Sequence, residues 1–416
     1  MLFQKVISIL GIFLLMVLLW LISENRKKFP FRIVIWGLIL QFSLGYFILN
    51  VQWGVDLFQW FGQQISIFLN YSMKGAAFLF GSIADSKNQS LLGFQFAIIV
   101  TSTIVFFSAF VSVLYYYGVM QKIVYGMAWV MQKTMKTTGV ESLSAASNVF
   151  LGQTEAPLMV RYYLADTSRS EMHTIMVGGF ATIAGGVMAA YIQMGIPAEH
   201  LITASLISVP GGLMLSKIVV PPTTQGKSLK ELQEIQTPKA DNVLVALTDG
   251  AGDGLKLALN IMAMLIAFVS IIALVDQIFI FLHQLFANIG WSGFPNSLKA
   301  FLGILFSPFA YLVGVPSNEV HIFGSLVGTK VSINEFIAFA DLGEMIRNGT
   351  ISERTARLAA FAVCGFANFS SIAIQIGGLG ALVPSKKSEI AQLGFKAMFV
   401  GAIVNILTAT VAGILT

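Results

Sequence analysis

The sequence predicts an all-α polytopic membrane protein with eight transmembrane helices, two opposed re-entrant helical hairpins and interfacial helices, arranged as an inverted repeat. Three observations support this fold class. The 416 residues are 56% hydrophobic and 11% charged, with a mean hydropathy of +0.79, well outside the range of soluble domains. Long segments lack charge altogether, and the few polar side chains inside apolar sequence cluster in short stretches.

The eight spans follow from runs that contain no Asp, Glu, Lys or Arg. Each run is long enough, or nearly so, for the roughly 20-residue helix that a bilayer requires. The runs cover residues 6–23, 33–55, 88–121, 172–198, 200–216, 257–275, 358–385 and 397–416. The first run ends at a charged segment without a small-residue cleavage site, which predicts a retained span and not a signal peptide.

Basic residues orient these spans, because cytoplasmic loops of membrane proteins carry the excess of Lys and Arg. The loop after the first span holds four basic residues against Glu24 alone, and lysines recur in 217–256 and 386–396, so these segments are predicted to be cytoplasmic. The apolar stretch 57–73, interrupted by Gln and Asn, predicts an interfacial helix. The net charge of +5 therefore requires no nucleic-acid partner. Three residues break the charge rule: Arg347, Arg354 and Arg357.

Two charged segments inside apolar sequence predict the hairpins. The segment from about Glu141 to Tyr163 has basic loops on both sides, and 299–347 carries embedded charges, so each is expected to enter and leave on one face. Gly179–Thr182 is echoed by Gly365–Asn368, which favours an inverted-repeat transporter. The predicted units are residues 1–121 (N-terminal spans and interfacial helix, scaffold), 122–256 (first hairpin and first half of a transport domain) and 257–416 (second hairpin and second half).

The first hairpin holds the most informative polar cluster. Glu155 lies between Gln153, Thr154 and the helix-breaking Pro157, and an acid inside a bilayer costs about 3 kcal/mol unless it faces a cavity or a partner. Glu335 holds a similar position in the second hairpin. Ionised carboxylates accept strongly from hydroxyls, so a facing pair suits a ribose or another polyol, and a Gln amide suits a nucleobase edge.

Other polar positions have plainer interpretations. For Asn148, Thr182, Asn368 and Ser371 the alternative interpretation is hydrogen bonding between helices, and for Phe366 and Val187 it is packing. We expect Lys330 to be an ion-pair partner of Glu335. The histidines lack zinc-ligand spacing and no phosphate loop is present, so neither a zinc site nor an ATP-driven pump is expected. No enzyme activity is predicted; a channel and an intramembrane hydrolase are the competing classes.

Three stretches resemble signatures of the concentrative nucleoside transporter family. They are 152–158 (GQTEAPL), 334–336 (NEF) and 364–371 (CGFANFSS), and the resemblance extends from about residue 90 to the end. The lack of extra N-terminal spans is similar to the bacterial branch. The resemblance implies a multi-pass protein of the cytoplasmic (inner) membrane, a homotrimer embedded in the lipid bilayer, which imports nucleosides by ion-coupled alternating access and needs no cofactor.

The resemblance also implies site residues. Gln153, Thr154 and Glu155 would contact the base and ribose, with Val187 against the base. Glu335, Asn368 and Ser371 would hold the ribose, and Phe366 would border the pocket. A sodium site would use the side chains of Asn148 and Thr182 and the carbonyls of Leu151 and Ile183. Thr182 stands where relatives often carry serine, and Ile337–Phe339 where they usually have Val-Ala-Tyr.

Sodium is the expected coupling ion, because Asn148 and Thr182 supply oxygen ligands and do not titrate. Proton coupling through Glu155 or Glu335 is the alternative. The preferred base and the stoichiometry stay open.

Overall fold

Helices form the whole framework in the computed structural model, which describes residues 2–84, 95–222, 226–232, 240–291 and 293–416. No β-strand occurs in these ranges, so the predicted all-α class is confirmed. The N-terminal third contains α1 (Leu2–Leu21), α2 (Phe31–Asn50), α3 (Gln52–Asn70), α4 (Ser72–Phe80) and α5 (Phe96–Tyr116).

The N-terminal predictions agree with these helices in part. The amphipathic helix expected at 57–73 is α3, which begins five residues earlier and ends three residues earlier; its location at a membrane interface stays a prediction. Of the span predicted at 88–121, the described part is α5 and the start of the next helix, and residues 88–94 lie outside the described residues.

The middle third contains the hairpin predicted from about Glu141 to Tyr163, which we call the first hairpin segment. This third of the chain contains α6 (Val119–Met135), α7 (Gly139–Ser147), a 3₁₀ helix (Ala156–Asp166), α8 (Arg169–Ala181), α9 (Gly185–Gln193) and α10 (Ala198–Val219). Capping boxes start α7 and α8, because Thr138 pairs with Glu141 and Ser168 with Glu171 to satisfy the first amide groups. Residues 148–155 are not helical, as the polar cluster around Glu155 predicted.

The C-terminal part begins with a helix that the charge pattern did not predict. The span expected at 257–275 lies inside α11, which runs for 46 residues (Val243–Asn288). The loop expected at 217–256 is therefore helical from 243 onward, and the predicted boundary between 256 and 257 falls inside α11. Asp253 and Lys256 are exposed on this helix, so they end the charge-free run without ending the helix.

The remaining helices build the second half. They are α12 (Leu298–Val313), α13 (Val320–Ser332), α14 (Glu335–Arg347), α15 (Glu353–Val363), α16 (Phe369–Leu382) and α17 (Lys387–Leu415). Only Ile333 and Asn334 separate α13 from α14, and we call these two helices the second hairpin segment. The hairpin predicted at 299–347 also contains α12, which packs along α13; its entry and exit on one membrane face stay a prediction.

Two of the predicted spans are interrupted. The first breaks between α8 and α9, after Ala181, and the second between α15 and α16, after Val363. Seven segments in the described ranges are long and apolar enough to cross a membrane, and the eighth predicted span, 358–385, is the second broken one. The four-residue echo does not align with the breaks, because Gly179–Ala181 ends α8 whereas Gly365–Asn368 follows α15.

Helix α17 forms the centre of the fold. It is buried along most of its length and packs against α1, α8, α10, α15 and α16. Its approach to α8 requires a small residue, because a methyl group at Gly401 would lie 2.5 Å from the Cβ of Phe180. Both broken spans therefore lie around this helix.

A cluster of charges joins three distant segments at one end of α17. The Glu24 carboxylate, after α1, lies 3.0 Å from Arg169 at the start of α8 and 2.7 Å from Lys396 in α17. Burial by itself raises the pKa of Glu24, but hydrogen bonds from Arg169 and Lys396 outweigh it and hold the pKa at about 2. The carboxylate is thus ionised in the folded protein.

We expect Glu24→Gln to lower the stability by about 1 kcal/mol, the scale of a charge network near the surface. Because the folded pKa lies below the ordinary value of 4.5, this contribution is complete above that value and is lost as the pH falls toward about 2. Thermal unfolding of the detergent-solubilised wild type and Glu24→Gln should be measured as a function of pH. The difference between their unfolding temperatures should disappear as the pH falls from 4.5 to about 2.

The control is Glu353→Gln, which removes an exposed carboxylate paired with Arg357 within one helix. That variant should unfold almost as the wild type does throughout. If the wild type is more stable than Glu24→Gln by the same amount at every pH, the low pKa of Glu24 is contradicted.

Candidate functional site

The two helix breaks meet beside α17. The backbone amide of Phe366 donates to the carbonyl of Thr182 at 3.2 Å, directly joining the breaks. The Nδ2 of Asn405 donates to the carbonyls of Ala181 and Cys364, each at 2.8 Å. One α17 side chain therefore satisfies a terminal carbonyl of both α8 and α15, groups that lack a partner within their own helices.

The tip of the first hairpin segment packs against both breaks. The amide of Gly185 donates to the carbonyl of Phe150 at 2.9 Å. Gln153 is buried; its Nε2 donates to Ser371 Oγ at 3.1 Å, and its Oε1 accepts from Gln375 Nε2 at 3.2 Å. Gln153 thus connects the first half of the chain to α16 in the second.

The second hairpin segment contributes Glu335, the first residue of α14. Asn334 caps this helix by accepting from the amide of Ile337 at 3.0 Å. Glu335 is 4% exposed, and its carboxylate accepts from Tyr191 Oη at 3.3 Å and from Asn368 Nδ2 at 2.8 Å. A buried carboxylate with two donors is held in one orientation.

Asn368 connects these two groups of contacts. Its Oδ1 caps α16 by accepting from the amide of Ser371 at 2.8 Å. A continuous series of hydrogen bonds therefore runs between the hairpin segments, and we call it the polar chain: Tyr191, Glu335, Asn368, Ser371, Gln153 and Gln375. Carboxylate, amide and hydroxyl groups in one series provide both donors and acceptors for a polar ligand.

Glu155 lies apart from the polar chain. Its carboxylate accepts from Thr154 Oγ1 at 3.2 Å and is exposed to a cavity of about 180 Å³. Asp253 and Tyr115 line the same cavity, so it lies between the first hairpin segment, α5 and α11. The two carboxylates have different hydrogen-bond partners, and their facing one another across a bound ribose stays a prediction.

The two apolar candidates are buried. Val187 lies in α9 and Phe366 in the second break, and both belong to the main hydrophobic core. Phe366 itself joins the two breaks through its backbone amide.

The residues expected to bind sodium also lie together in the fold. Asn148 directly follows α7 and is 1% exposed; its Nδ2 donates to the Ser144 carbonyl at 3.0 Å, but its Oδ1 accepts from no group in the described part of the chain. A methyl group at Gly178 would lie 3.0 Å from that Nδ2, so the end of α7 packs on the last turn of α8. The two carbonyl groups expected to complete the sodium site lie in the adjoining non-helical segments and belong to Leu151 and Ile183.

Thr182 is the first residue after α8, with extended backbone (φ −127°, ψ 172°), and its hydroxyl donates to the Gly178 carbonyl at 2.9 Å. Its oxygen lone pairs stay available to a cation. In the part of the chain that the structure describes, no group of three or more His, Cys, Asp or Glu side chains could hold a metal.

Three residues of this region are not among those predicted from the sequence, and one predicted contact is wrong. Tyr191, Gln375 and Asn405 were not singled out, although Gln375 and Asn405 are polar residues in apolar helices and so carried a signal. Tyr191 carried none. Lys330 does not form the expected ion pair with Glu335; its Nζ donates instead to Asn405 Oδ1 at 2.7 Å.

Three family models match the chain. They are described as Na+ dependent nucleoside transporter C-terminus (residues 200–413), Na+ dependent nucleoside transporter N-terminus (residues 10–83) and nucleoside recognition gate (residues 97–198). Together they account for most of the sequence.

Similar proteins occur in bacteria and animals. An uncharacterized transporter of Haemophilus influenzae is 42% identical over 98% of this chain and 97% of its own length. The nucleoside permease NupC of Helicobacter pylori is 37% identical over 100% of this chain and 98% of its own. Sodium/nucleoside cotransporter 1 of Rattus norvegicus is 39% identical over 99% of this chain, which spans 64% of that protein.

Solved structures of CNTnw share the fold. Its inward-facing substrate-bound state matches with a TM-score of 0.92 at 38% identity over 99% of this chain and 98% of that one. An outward-facing state of a CNTnw double variant matches with a TM-score of 0.91 at 38% identity over the same shares. CNTnw thus adopts both inward- and outward-facing states, as an alternating-access transporter does, and the named relatives are transporters and not enzymes. The chain is a multi-pass inner-membrane protein and belongs to the Na+-dependent nucleoside transporter family.

Proposed function

We propose that this protein imports nucleosides together with sodium, and that the nucleoside binds along the polar chain between the two hairpin segments. The observation that carries the proposal is the connection Glu335–Asn368–Ser371–Gln153, which brings a carboxylate, amides and a hydroxyl from both halves of the chain to one place. The names of the relatives agree with this class of substrate.

Glu335 is the proposed ribose acceptor. Each carboxylate oxygen accepts one hydrogen bond from the protein, at 3.3 Å from Tyr191 and 2.8 Å from Asn368, and a carboxylate can accept about four. Two sugar hydroxyls would use the remaining capacity. Asn368 and Ser371 flank the carboxylate and would bind the same sugar.

The first hairpin segment supplies the proposed contacts to the base. Gln153 presents an amide whose two ends are oriented by Ser371 and Gln375, which suits a nucleobase edge with donors and acceptors. Val187 and Phe366 would provide apolar surface. Glu155 borders the cavity toward α5 and α11 and accepts from Thr154, so a nucleoside at the hairpin tips would contact the N-terminal half there.

Sodium is the proposed coupling ion. The buried Asn148 Oδ1 without a partner is unfavourable by about 1 to 3 kcal/mol unless something binds it, and an oxygen-seeking cation would. Thr182 Oγ1 and the carbonyls of Leu151 and Ile183 would complete the ligands. Proton coupling through Glu155 or Glu335 would leave the Asn148 oxygen unexplained.

The assembly and its surroundings are also part of the proposal. Large apolar side chains are exposed along α11, among them Leu259, Ile266 and Leu274, and lipid or a second protomer would cover them. A homotrimer in the bilayer, with residues 1–121 as scaffold and the two hairpin halves as transport domain, satisfies this need.

The wild-type protein in proteoliposomes should concentrate labelled uridine when a sodium gradient is imposed, and this uptake should stop when the gradient is collapsed.

Glu335→Gln should reduce uptake severely, because the sugar hydroxyls lose a charged acceptor worth about 1.5 to 3 kcal/mol, or roughly 10- to 150-fold in binding. Glu344→Gln, on the exposed face of the same helix, is the matched control and should transport normally.

Competition tests the same assignment without mutation. Removing the sugar hydroxyls should weaken binding more than changing the base. A free nucleobase that competes as well as its nucleoside would overturn the ribose role, uptake that merely equilibrates would indicate a channel, and an altered product would indicate an enzyme.

Gly179→Ala should weaken uridine binding about tenfold through crowding alone. A methyl group there would lie 2.8 Å from Gln375 Nε2 and 2.9 Å from Gln153 Cβ, and overpacking of this kind costs about 1 to 3 kcal/mol. Gly212→Ala is the control, since its methyl group would meet only Ala181 and Val177 at 3.9 Å. Equal binding by both variants would argue against Gln153 as a base contact.

Thermodynamic linkage between sodium binding and uridine binding tests whether sodium is the coupling ion. Sodium bound beside the nucleoside should raise uridine affinity by roughly 5- to 150-fold, and uridine should raise sodium affinity by the same factor. Binding is measured at fixed pH with sodium replaced by choline. Asn148→Ala should abolish the sodium effect, whereas Ser147→Ala, which removes a hydroxyl bonded only within α7, should keep it. Uridine binding that follows pH and ignores sodium would assign coupling to a glutamate.

A further inference from the structure

Helix α6 begins directly after a helix that can span the membrane, but it does not continue that span. Only Tyr117 and Gly118 separate α6 from α5, and Gly118 has a positive φ of +74°, which ends α5. Helix α5 is one of the described helices long and apolar enough to cross a membrane, whereas α6 is not. Because α6 starts two residues after the end of a span, it lies at the edge of the bilayer.

One side of α6 is covered by the protein. The helix packs along α7, the first helix of the first hairpin segment. Near its C-terminal end, Arg32 Nε at the start of α2 donates to the Thr134 carbonyl at 3.2 Å. The buried residues recur every three or four positions, as they do on one side of a helix: Met120, Val124, Ala128, Met131 and Met135.

The rest of the α6 surface carries large apolar and aromatic side chains that no described residue covers. Each of them is more than two-fifths exposed, and two of them are the aromatic types that are enriched where a membrane meets water. They are Val119, Ile123, Tyr125, Trp129 and Val130. This surface is therefore suited to the boundary between acyl chains and headgroups.

The charges on the same exposed surface are all positive. Eleven residues separate Lys122 from Lys133, which is about three turns at 3.6 residues per turn, so both project from one side of α6. Lys136 follows as the C-terminal cap. All three lysines are exposed, and no Asp or Glu occurs from residue 96 to residue 140. Among the described residues none of the three forms an ion pair.

The lysines and the apolar side chains are next to one another on α6. The Nζ of Lys133 lies 4.7 Å from the ring centroid of Trp129, so one ammonium group is held over one aromatic ring. Lysine side chains at such positions cover apolar surface with their methylene groups and extend the amino group to the polar layer. A matching partner presents anionic groups directly beside apolar chains, and an anionic phospholipid combines the two in one molecule.

We propose that the exposed side of α6 is a binding surface for anionic phospholipids. Lys122, Lys133 and Lys136 bind the phosphate groups, and Trp129 with its apolar neighbours packs on the upper part of the acyl chains. This inference does not depend on the proposed nucleoside and sodium sites. Because α6 joins α5 to α7, the bound lipid holds the start of the first hairpin segment at the membrane surface.

Lipid titration of the purified full-length protein in detergent tests this surface. Phosphatidylglycerol should raise the unfolding temperature at lower concentration than phosphatidylcholine does, because a ligand that binds the folded state stabilises it. Each lysine near an anionic surface contributes about fivefold in affinity. Lys122→Gln with Lys133→Gln should therefore require roughly 30-fold more phosphatidylglycerol for the same shift, and each single variant about fivefold more.

Salt and a matched variant separate this surface from a general effect of charge. At about 1 M salt, where the Debye length is about 3 Å, the two lipids should act alike on the wild type. Lys27→Gln with Lys28→Gln removes two exposed lysines from the neighbouring loop after α1 and should leave most of the preference for phosphatidylglycerol. Trp129→Ala should weaken the effect of both lipids, since it removes apolar contact and no charge.

Three results would overturn the proposal. The first is equal stabilisation of the wild type by the two lipids at low salt. The second is an equal loss of the phosphatidylglycerol preference in the α6 and loop double variants, which would assign the preference to net charge. The third is an unchanged lipid response of the α6 double variant together with an altered oligomeric state by light scattering, which would assign this side of α6 to a second copy of the chain.

Discussion

The amide of Asn405 is the contact on which the central architecture depends. Two spans of this protein stop inside the apolar core, and each leaves carbonyl groups that no water or helix can satisfy. Asn405 donates to one such carbonyl from each span at 2.8 Å and accepts from Lys330. Because the three segments share one side chain, the breaks after Ala181 and Val363 are held side by side on α17.

The polar chain exists because the breaks are paired in this way. A break creates a new helix start, and Asn368 uses that start by capping α16 while it donates to Glu335. The hairpin segments then bring Gln153 and Glu335 to the same helix from opposite halves of the sequence. Polar groups inside a membrane are costly when isolated and stable when each has a partner, so the site is built as a series of hydrogen bonds.

Glu335 and Glu155 have different environments and hence different proposed roles. Glu335 is enclosed, and two protein donors fix its orientation, which suits hydrogen bonds of defined geometry to a substrate. Glu155 is exposed to a cavity shared with α5 and α11, where its surroundings would change if the hairpin segments moved against those helices. A site that opens alternately to two sides needs both a fixed acceptor and groups at the moving boundary.

The sequence alone determined the all-α membrane class, the first-hairpin polar cluster and most residues of the polar chain, because hydropathy and polar residues in apolar runs are local properties of the chain. It did not determine the length of α11, since Asp253 and Lys256 interrupt a charge count but not an exposed helix. Nor did it reveal the partner of Lys330, because proximity to Glu335 in sequence suggested an ion pair, whereas the Nζ of Lys330 donates to Asn405 on a different helix. Which helix ends meet, and that Asn405 joins them, depends on contacts between distant segments, of which Ala181 with Asn405 spans 224 residues, and only the tertiary structure decides these.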